Sequence, residues 1–195
     1  MPRVSPSLFD SKPPRHSAED AVVRKWIEEE AVGHFLNAYE AVTADQINVR
    51  PHERPDFVGH RLDGSPVGIE LTAIRWTPDA RVSEAILGSG EGMDAWEVLD
   101  RIGLALDKKA RKRSSPGWTH PDSTIVLLML EDAQLDGVHW VFDPTLDDEW
   151  ASYGFQEIWV GDYTELDAYR DIELFGLYPR KWWGYHRRVF RKPYG

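Results

Sequence analysis

Two carboxylates occupy positions at which a folded chain could use them for chemistry. Asp56 directly follows Pro55, and Glu70 lies fourteen residues later, inside the apolar segment 67–72. Charged side chains are rarely buried unless they are paired or bind a metal ion. Carboxylate oxygens are the ligands that Mg²⁺ and Mn²⁺ prefer in proteins. The two residues therefore predict a site for Mg²⁺ or Mn²⁺.

A β-hairpin would bring these two acids together. The sequence DGSP at 63–66 is a strong turn signal, and it separates two strand-like segments at 55–62 and 67–74. Directly opposed residues in a hairpin have Cβ atoms about 4.5–5.5 Å apart. Two carboxylates at that separation repel and shift each other's pKa, and a divalent cation between them removes the conflict.

The remaining patterns predict a mixed sheet flanked by helices. Apolar residues recur at every fourth position in the first predicted helix, at Val23, Ile27, Ala31 and Phe35. The run TIVLLML at 124–130 is typical of a strand buried on both faces. Helices are predicted at 17–42, 93–113 and 146–154, and strands at 47–50, 55–62, 67–74, 124–130, 138–142 and 157–162. We expect an α/β fold with the core order αβββαβ and a C-terminal extension.

The segment RPDFVG, followed by the turn and then by GIELT, resembles the core of the PD-(D/E)XK nuclease superfamily. In that family a Pro-Asp pair opens one strand, and the next strand carries Glu or Asp, one further residue and then Lys. The predicted elements over 17–131 follow the order of the family's restriction-endonuclease-like core. The resemblance implies a Mg²⁺-dependent endonuclease that hydrolyses phosphodiester bonds, with DNA as the expected substrate.

Matched position by position, the resemblance assigns the metal to Asp56, Glu70 and the backbone carbonyl of Leu71. Thr72 stands where the family has its lysine, which steadies the attacking water and the charge that develops on the phosphate. Threonine can donate a hydrogen bond but carries no positive charge. Either a lysine comes from elsewhere in the chain, or the protein has kept the fold without the catalysis.

Lys109 is the candidate for a relocated lysine. It follows Leu106 by three residues and Ile102 by seven, so it shares the helical stripe that is expected to face the sheet. A lysine stem can run along such a surface and present its ammonium group at the edge. The opposite interpretation is that Lys109 belongs to the solvated end of the helix, in the charged run KKARKR.

The resemblance also implies a glutamate from the first helix. Glu28 precedes Ala31 by three residues and Phe35 by seven, so it lies on the same helical face as those apolar residues. We therefore expect Glu28 to complete the site.

Purely structural interpretations stand beside these assignments. Glu70 could form a buried ion pair with Lys109 or Arg75, and Asp56 could cap a turn or pair with Arg54 or Arg61. Either arrangement would satisfy the charge without a metal ion.

The formal net charge of −10 argues against a nucleic-acid binder, but the charge is unevenly distributed. From 174 to 195 the chain has six basic residues and no acidic ones, interleaved with aromatic rings. Aromatic rings can stack on bases while cations contact phosphates. The expected nucleic-acid contacts are Arg180, Lys181, Arg187, Arg188, Arg191 and Lys192. Alternatively, the rings pack onto the domain and the cations offset its acidic surface.

The 195 residues suit a single α/β domain with appendages. We predict a flexible proline-rich arm at 1–16, the nuclease-like domain at 17–173, and a basic aromatic tail at 174–195 that packs on the domain or extends it. There is no cysteine, which excludes disulfides, a thiol nucleophile and cysteine-ligated metal. No apolar run approaches the roughly 20 residues that span a bilayer. A cytoplasmic protein without a membrane partner is expected.

Two functions follow from this sequence. One is a metal-dependent nuclease acting on DNA, which could form a homodimer to cut both strands. The other is a catalytically inactive protein of the same fold that serves as a binding or assembly module for a protein partner.

Overall fold

A seven-stranded sheet forms the centre of the computed structural model, which describes residues 18–75, 94–164 and 171–187. The strands follow one another across the sheet in chain order: β1 Ile47–Pro51, β2 Phe57–Arg61, β3 Pro66–Ile74, β4 Thr124–Leu130, β5 Glu157–Asp162, β6 Glu173–Tyr178 and β7 Gly184–His186. β3, β4 and β5 are parallel, and every other neighbouring pair is antiparallel. The predicted α/β class with a mixed sheet is therefore confirmed.

Helices cover both faces of this sheet. They are α1 Ala18–Thr43, α2 Ala95–Arg113, α3 Leu135–Val138 and α4 Asp147–Ser152. On one face α1 packs Phe35 and Tyr39 into a core cluster with Ile69. On the other face α2 packs Ile102 and Leu106 into a second cluster. All seven residues of β4 are buried, because this strand lies between the two clusters.

The order of elements differs from the predicted one after β4. Of residues 138–142, predicted as a strand, Val138 ends α3, 139–141 form the 3₁₀ turn His139–Val141, and Phe142 follows that turn. β4 and β5 are parallel, and parallel neighbours need a crossover connection, which is usually helical. Val138, Val141 and Phe142 are apolar because they pack this crossover onto the sheet.

The last two strands come from the segment predicted as a tail. β6 pairs antiparallel with β5, and β7 pairs antiparallel with β6. The predicted boundary between 173 and 174 therefore falls inside β6. The arm predicted at 1–16 lies outside the described residues. None of the helices in the described ranges has the length and hydrophobicity needed to cross a bilayer.

The burial of α1 differs from its predicted stripe. Ala31 and Phe35 are buried as expected, but Val23 and Ile27 are exposed, together with Trp26. A helix of 26 residues is about 39 Å long at 1.5 Å per residue. Strands of five to nine residues span only about 17–30 Å at 3.3 Å per residue. The N-terminal half of α1 therefore extends past the sheet that buries its C-terminal half.

A buried polar network closes one end of the sheet. The Arg61 guanidinium contacts Asp45, and it donates hydrogen bonds to the Tyr39 hydroxyl at 2.8 Å and to Glu157 at 2.9 Å. Trp159 Nε1 donates to the other oxygen of Glu157 at 2.9 Å. Glu157 is buried at the start of β5, so its charge depends on Arg61 for compensation.

Removal of this compensating charge tests the network. We expect Arg61→Ala to lower the free energy of unfolding by about 3–5 kcal/mol, because Glu157 would remain buried and unpaired. Arg50→Ala, at an exposed position on neighbouring β1, should change it by less than about 0.5 kcal/mol. Urea denaturation of both variants measures the difference, and equal effects would contradict the role of Arg61.

The integration of β6 into the core is tested with two leucines. Leu177 in β6 is fully buried, whereas Leu104 in α2 is 69% exposed. Leu177→Ala should cost about 2–5 kcal/mol of unfolding free energy, as expected for a core leucine. Leu104→Ala should cost less than about 0.5 kcal/mol. If Leu177→Ala has as little effect as its control, β6 is not part of the core.

Candidate functional site

The β2–β3 hairpin places Asp56 beside Glu70. Phe57 pairs with Ile69 and Val58 with Gly68, so Asp56, the residue before β2, comes opposite Glu70 when this register is continued. The Leu71 amide donates a hydrogen bond to Asp56 Oδ2 at 2.8 Å, and the Asp56 amide donates to Glu70 Oε2 at 3.3 Å. The predicted hairpin is confirmed, and these hydrogen bonds hold both carboxylates in one small region.

The loop before β2 fixes the backbone of Asp56. The His52 amide donates to the Asp56 carbonyl at 2.7 Å, and the Arg54 amide donates to His52 Nδ1 at 3.2 Å. A second loop supports the first, because the Thr119 amide donates to the Arg54 carbonyl at 2.9 Å. The turn around Pro55 is therefore held by hydrogen bonds at both ends.

Gly68 lets this loop pack against β3. A Cβ atom at Gly68 would lie 2.5 Å from Cγ of Pro55, closer than side-chain atoms can approach. This glycine within β3 thus marks a close approach of the Pro55 ring to the backbone of the strand. The contact presses the Pro55–Asp56 turn onto the strand that carries Glu70.

Glu70 is buried, with 4% of its surface exposed, and Lys109 supplies the compensating charge. The Lys109 ammonium group donates to Glu70 Oε1 and, at 2.8 Å, to the Leu71 carbonyl. Burial raises the pKa of the Glu70 carboxyl, Lys109 opposes that change, and the nearby Asp56 charge adds to it. The structure therefore places Lys109, the predicted relocated lysine, in contact with Glu70, the predicted second acid.

Thr72 and Glu28 occupy the margins of this cluster. The Thr72 hydroxyl donates to the Leu71 carbonyl at 2.8 Å, the same carbonyl that accepts from Lys109. Glu28 is partly exposed and lies 3.6 Å from Arg24 across one helical turn. Burial and then the Asp56 charge raise the pKa of Glu28, so Glu28 lies within electrostatic range of Asp56.

Residues of this cluster line two surface clefts. One has a volume of about 470 Å³ and is lined by Glu28, Asp56 and the loop that contains His52. The other, also about 470 Å³, is lined by Leu71, Thr72 and Lys109. Glu70 contacts both Asp56 and Lys109, so it connects the walls of the two clefts.

The site offers a divalent cation a small set of oxygen donors. Within the described residues, no three His, Cys, Asp or Glu side chains are grouped so that they could hold a metal ion. The candidate donors are the carboxylates of Asp56 and Glu70 and the carbonyl of Leu71. Mg²⁺ is often bound by one or two carboxylates, with water and substrate phosphates completing its shell. This donor set suits such an open site and is too small for a closed structural site.

Two of the other predicted partners of these acids, Arg75 and Arg61, form ion pairs elsewhere. Arg75 forms an ion pair with Glu131 beyond the end of β3. Arg61 pairs with Asp45 and Glu157 at the opposite end of the hairpin. Of the two predicted ion-pair partners of Glu70, Lys109 and Arg75, the structure pairs Glu70 with Lys109.

The described cations of the C-terminal segment contact aromatic rings of the same segment. Arg180 lies over Trp183, Lys181 over Trp182 and Arg187 over Tyr185, with 4.7–5.6 Å from the cation to the ring centre. β7 is four strands from β3, roughly 19 Å at about 4.8 Å per strand. The structure does not bring these cations to Asp56 and Glu70. The other three residues predicted to contact nucleic acid lie outside the described part of the chain; they are Arg188, Arg191 and Lys192.

Sequence reasoning missed a second group of cations, on α2. Arg101, Lys108 and Lys112 line the same cleft as Lys109. Their spacing of seven and four residues places them on one helical face. This spacing is the feature of the sequence that indicates a basic surface on α2. From the sequence, the run KKARKR has two alternative interpretations, a source of the relocated Lys109 or a solvated helix end, and neither is a binding surface.

No family model, curated protein or solved structure matches this chain. Its function is therefore inferred from the chemistry of the site.

A double-mutant cycle tests the Glu70–Lys109 contact. In EDTA, Lys109→Met should lower the free energy of unfolding by about 3–5 kcal/mol, because it leaves Glu70 buried and unpaired. Combined with Glu70→Gln, the two changes should be non-additive by about 0.5–3 kcal/mol. The control cycle uses Lys108→Met, whose exposed side chain should show no coupling with Glu70→Gln. Additivity in both cycles would contradict the buried pair.

Proposed function

We propose that the protein is a Mg²⁺-dependent nuclease of the PD-(D/E)XK type that hydrolyses phosphodiester bonds in DNA. The observation that carries this proposal is the convergence of two carboxylates, a backbone carbonyl and an ammonium group at one point of the β2–β3 hairpin. Asp56, Glu70 and Leu71 are linked by hydrogen bonds, and Lys109 contacts the last two.

Asp56, Glu70 and the Leu71 carbonyl would hold the cation, with Glu28 acting through a water molecule. When bound, Mg²⁺ lowers the pKa of a water molecule and polarises the scissile phosphate. In the reaction, the water oxygen forms a bond to phosphorus, the bond to the leaving sugar oxygen breaks, and the leaving oxygen takes up a proton. One water molecule is consumed for each bond that is cut.

Lys109 would take the role that Thr72 cannot perform. The transition state gathers negative charge on the phosphate oxygens, and a preorganised cation stabilises that charge. The ammonium group of Lys109 already lies beside Glu70 and the Leu71 carbonyl, in a cleft that is open to solvent. The Thr72 hydroxyl is directed to the Leu71 carbonyl and would contribute only a hydrogen bond.

A second candidate function is a catalytically inactive binding or assembly module. The observation that favours it is the Glu70–Lys109 pair, which compensates the buried carboxylate without any metal ion. A protein that used this pair only for stability would fold normally and cut no nucleic acid.

A cleavage assay separates the two functions. Single- and double-stranded DNA and RNA are incubated with the protein in Mg²⁺, Mn²⁺ or EDTA. We expect cutting of DNA that depends on the metal ion and is abolished by EDTA. Asp56→Asn, Glu70→Gln and Lys109→Met should each reduce the rate by about 100-fold or more, since each removes a charge that acts in the transition state.

Glu30→Gln is the matched control, because Glu30 is an exposed acid on α1 close in sequence to Glu28. Its rate should equal that of the wild type. Circular dichroism spectra establish that each variant is folded before its rate is compared. Undiminished cutting by Asp56→Asn would contradict the assigned site, and no cutting by folded wild type on any substrate would support the binding module.

A further inference from the structure

The cleft beside Lys109 is a basic groove between α2 and the C-terminal half of β3, here called the α2 groove. Five cations line it: Arg75, Arg101, Lys108, Lys109 and Lys112. None of the described residues that line it is acidic. This local charge is opposite to the net charge of −10 carried by the whole chain. The α2 groove would therefore attract an anion that the rest of the surface repels.

Two of these charges have no carboxylate partner among the described residues. Arg101 pairs with Glu97, Arg75 with Glu131 and Lys109 with Glu70: these ion pairs neutralise three of the five cations. Lys108 and Lys112 are exposed and contact no carboxylate in the described part of the chain. They are the groups that are free to bind a ligand.

The cations are arranged along a line. Lys108 and Lys112 are one helical turn apart, and Arg101 lies two turns before Lys108 on the same face of α2. At 1.5 Å per residue, Arg101 and Lys112 are about 16 Å apart along the helix axis. That length corresponds to roughly five nucleotide steps at 3.4 Å per step. Lys108 and Lys112, which have no carboxylate partner among the described residues, are about 6 Å apart on this line. That spacing suits successive phosphates of an extended polyanion better than a single phosphate group.

The α2 groove is continuous with the candidate site. Leu71, Thr72 and Lys109 form part of its wall, and the Leu71 carbonyl and the Lys109 ammonium are groups of that site. A phosphodiester backbone lying in the groove would pass directly over them. The described C-terminal cations have no such connection, because they contact their own aromatic rings at the other edge of the sheet.

We infer that the α2 groove binds the sugar–phosphate backbone of a DNA strand, and that Lys108 and Lys112 contact its phosphates. The inference rests on the proposed nuclease function, which it deepens by naming the surface that holds the substrate. Phosphate contacts of this kind position the strand and read no sequence. They also make the affinity fall steeply as salt concentration rises.

The test measures binding without catalysis. Fluorescence anisotropy with labelled single-stranded and duplex DNA is recorded in EDTA at several KCl concentrations. The double variant Lys108→Glu/Lys112→Glu should bind at least about tenfold more weakly than wild type. The slope of log affinity against log salt should fall in magnitude by about 2, since each phosphate contact contributes about 0.9.

Arg180→Glu/Lys181→Glu is the matched control, with the same change in net charge at the other edge of the sheet. It should retain most of the wild-type affinity. A full loss in this control with no loss in the groove variant would overturn the inference. Absence of DNA binding by wild type would also overturn it, as would binding to phosphatidylserine vesicles in place of DNA. If the charge-reversed protein does not fold, Lys108→Gln/Lys112→Gln replaces it.

The groove assignment and the nuclease function can fail separately, because one is tested by DNA binding and the other by DNA cleavage. Asp56→Asn should lose cleavage but still bind DNA in EDTA, because Asp56 does not line the α2 groove. If wild type binds DNA through the groove and never cuts it, the nuclease proposal fails and the groove assignment stands. If wild type cuts DNA and the groove variant binds it unchanged, the groove assignment fails alone.

Discussion

The burial of a carboxylate on a central strand is the constraint on which the candidate site depends. Glu70 lies on β3 between the two core clusters, where an ionised carboxylate costs several kcal/mol unless a cation compensates it. Lys109 provides that cation from α2, so the helix and the strand must keep one relative position. Its aliphatic stem continues the buried stripe of Ile102 and Leu106, which is how a charged residue can lie on the packed side of a helix.

This position of α2 against β3 has consequences on both sides of the strand. Toward β2, the strand offers its Leu71 amide to Asp56, and the glycine at 68 lets the Pro55 turn lie close to it. Toward solvent, the exposed side of α2 runs beside the end of β3 and forms the α2 groove. One contact between helix and strand therefore supports the stability of the core, the geometry of the two acids and the α2 groove.

The contact between Lys109 and Glu70 has a different meaning for each candidate function. In a nuclease, the ammonium group would share its charge between Glu70 and the phosphate of the substrate. In a binding module, it would remain a structural pair, and Thr72 would mark a site without chemistry. The hydrogen bond from Lys109 to the Leu71 carbonyl is compatible with both functions. The carbonyl belongs to the backbone, so it is present whether Thr72 or a lysine follows it.

Local patterns in the sequence determined the main elements and the pairing of the two acids. Periodicity and turn residues act over a few positions, so the elements that could be predicted are α1, α2, the hairpin, β4 and β5. The turn at 63–66 sets the register that brings Asp56 opposite Glu70. Only the tertiary structure decided the rest, because those features depend on partners distant in the chain. Residues 138–141 are helical because parallel β4 and β5 need a crossover. β6 and β7 are strands because β5 offers an edge to β6, and β6 offers one to β7. The sequence offered Lys109 and Arg75 equally as partners for Glu70, and the packing of α2 on β3 chose Lys109, because charge compensation in a core is decided by proximity in space.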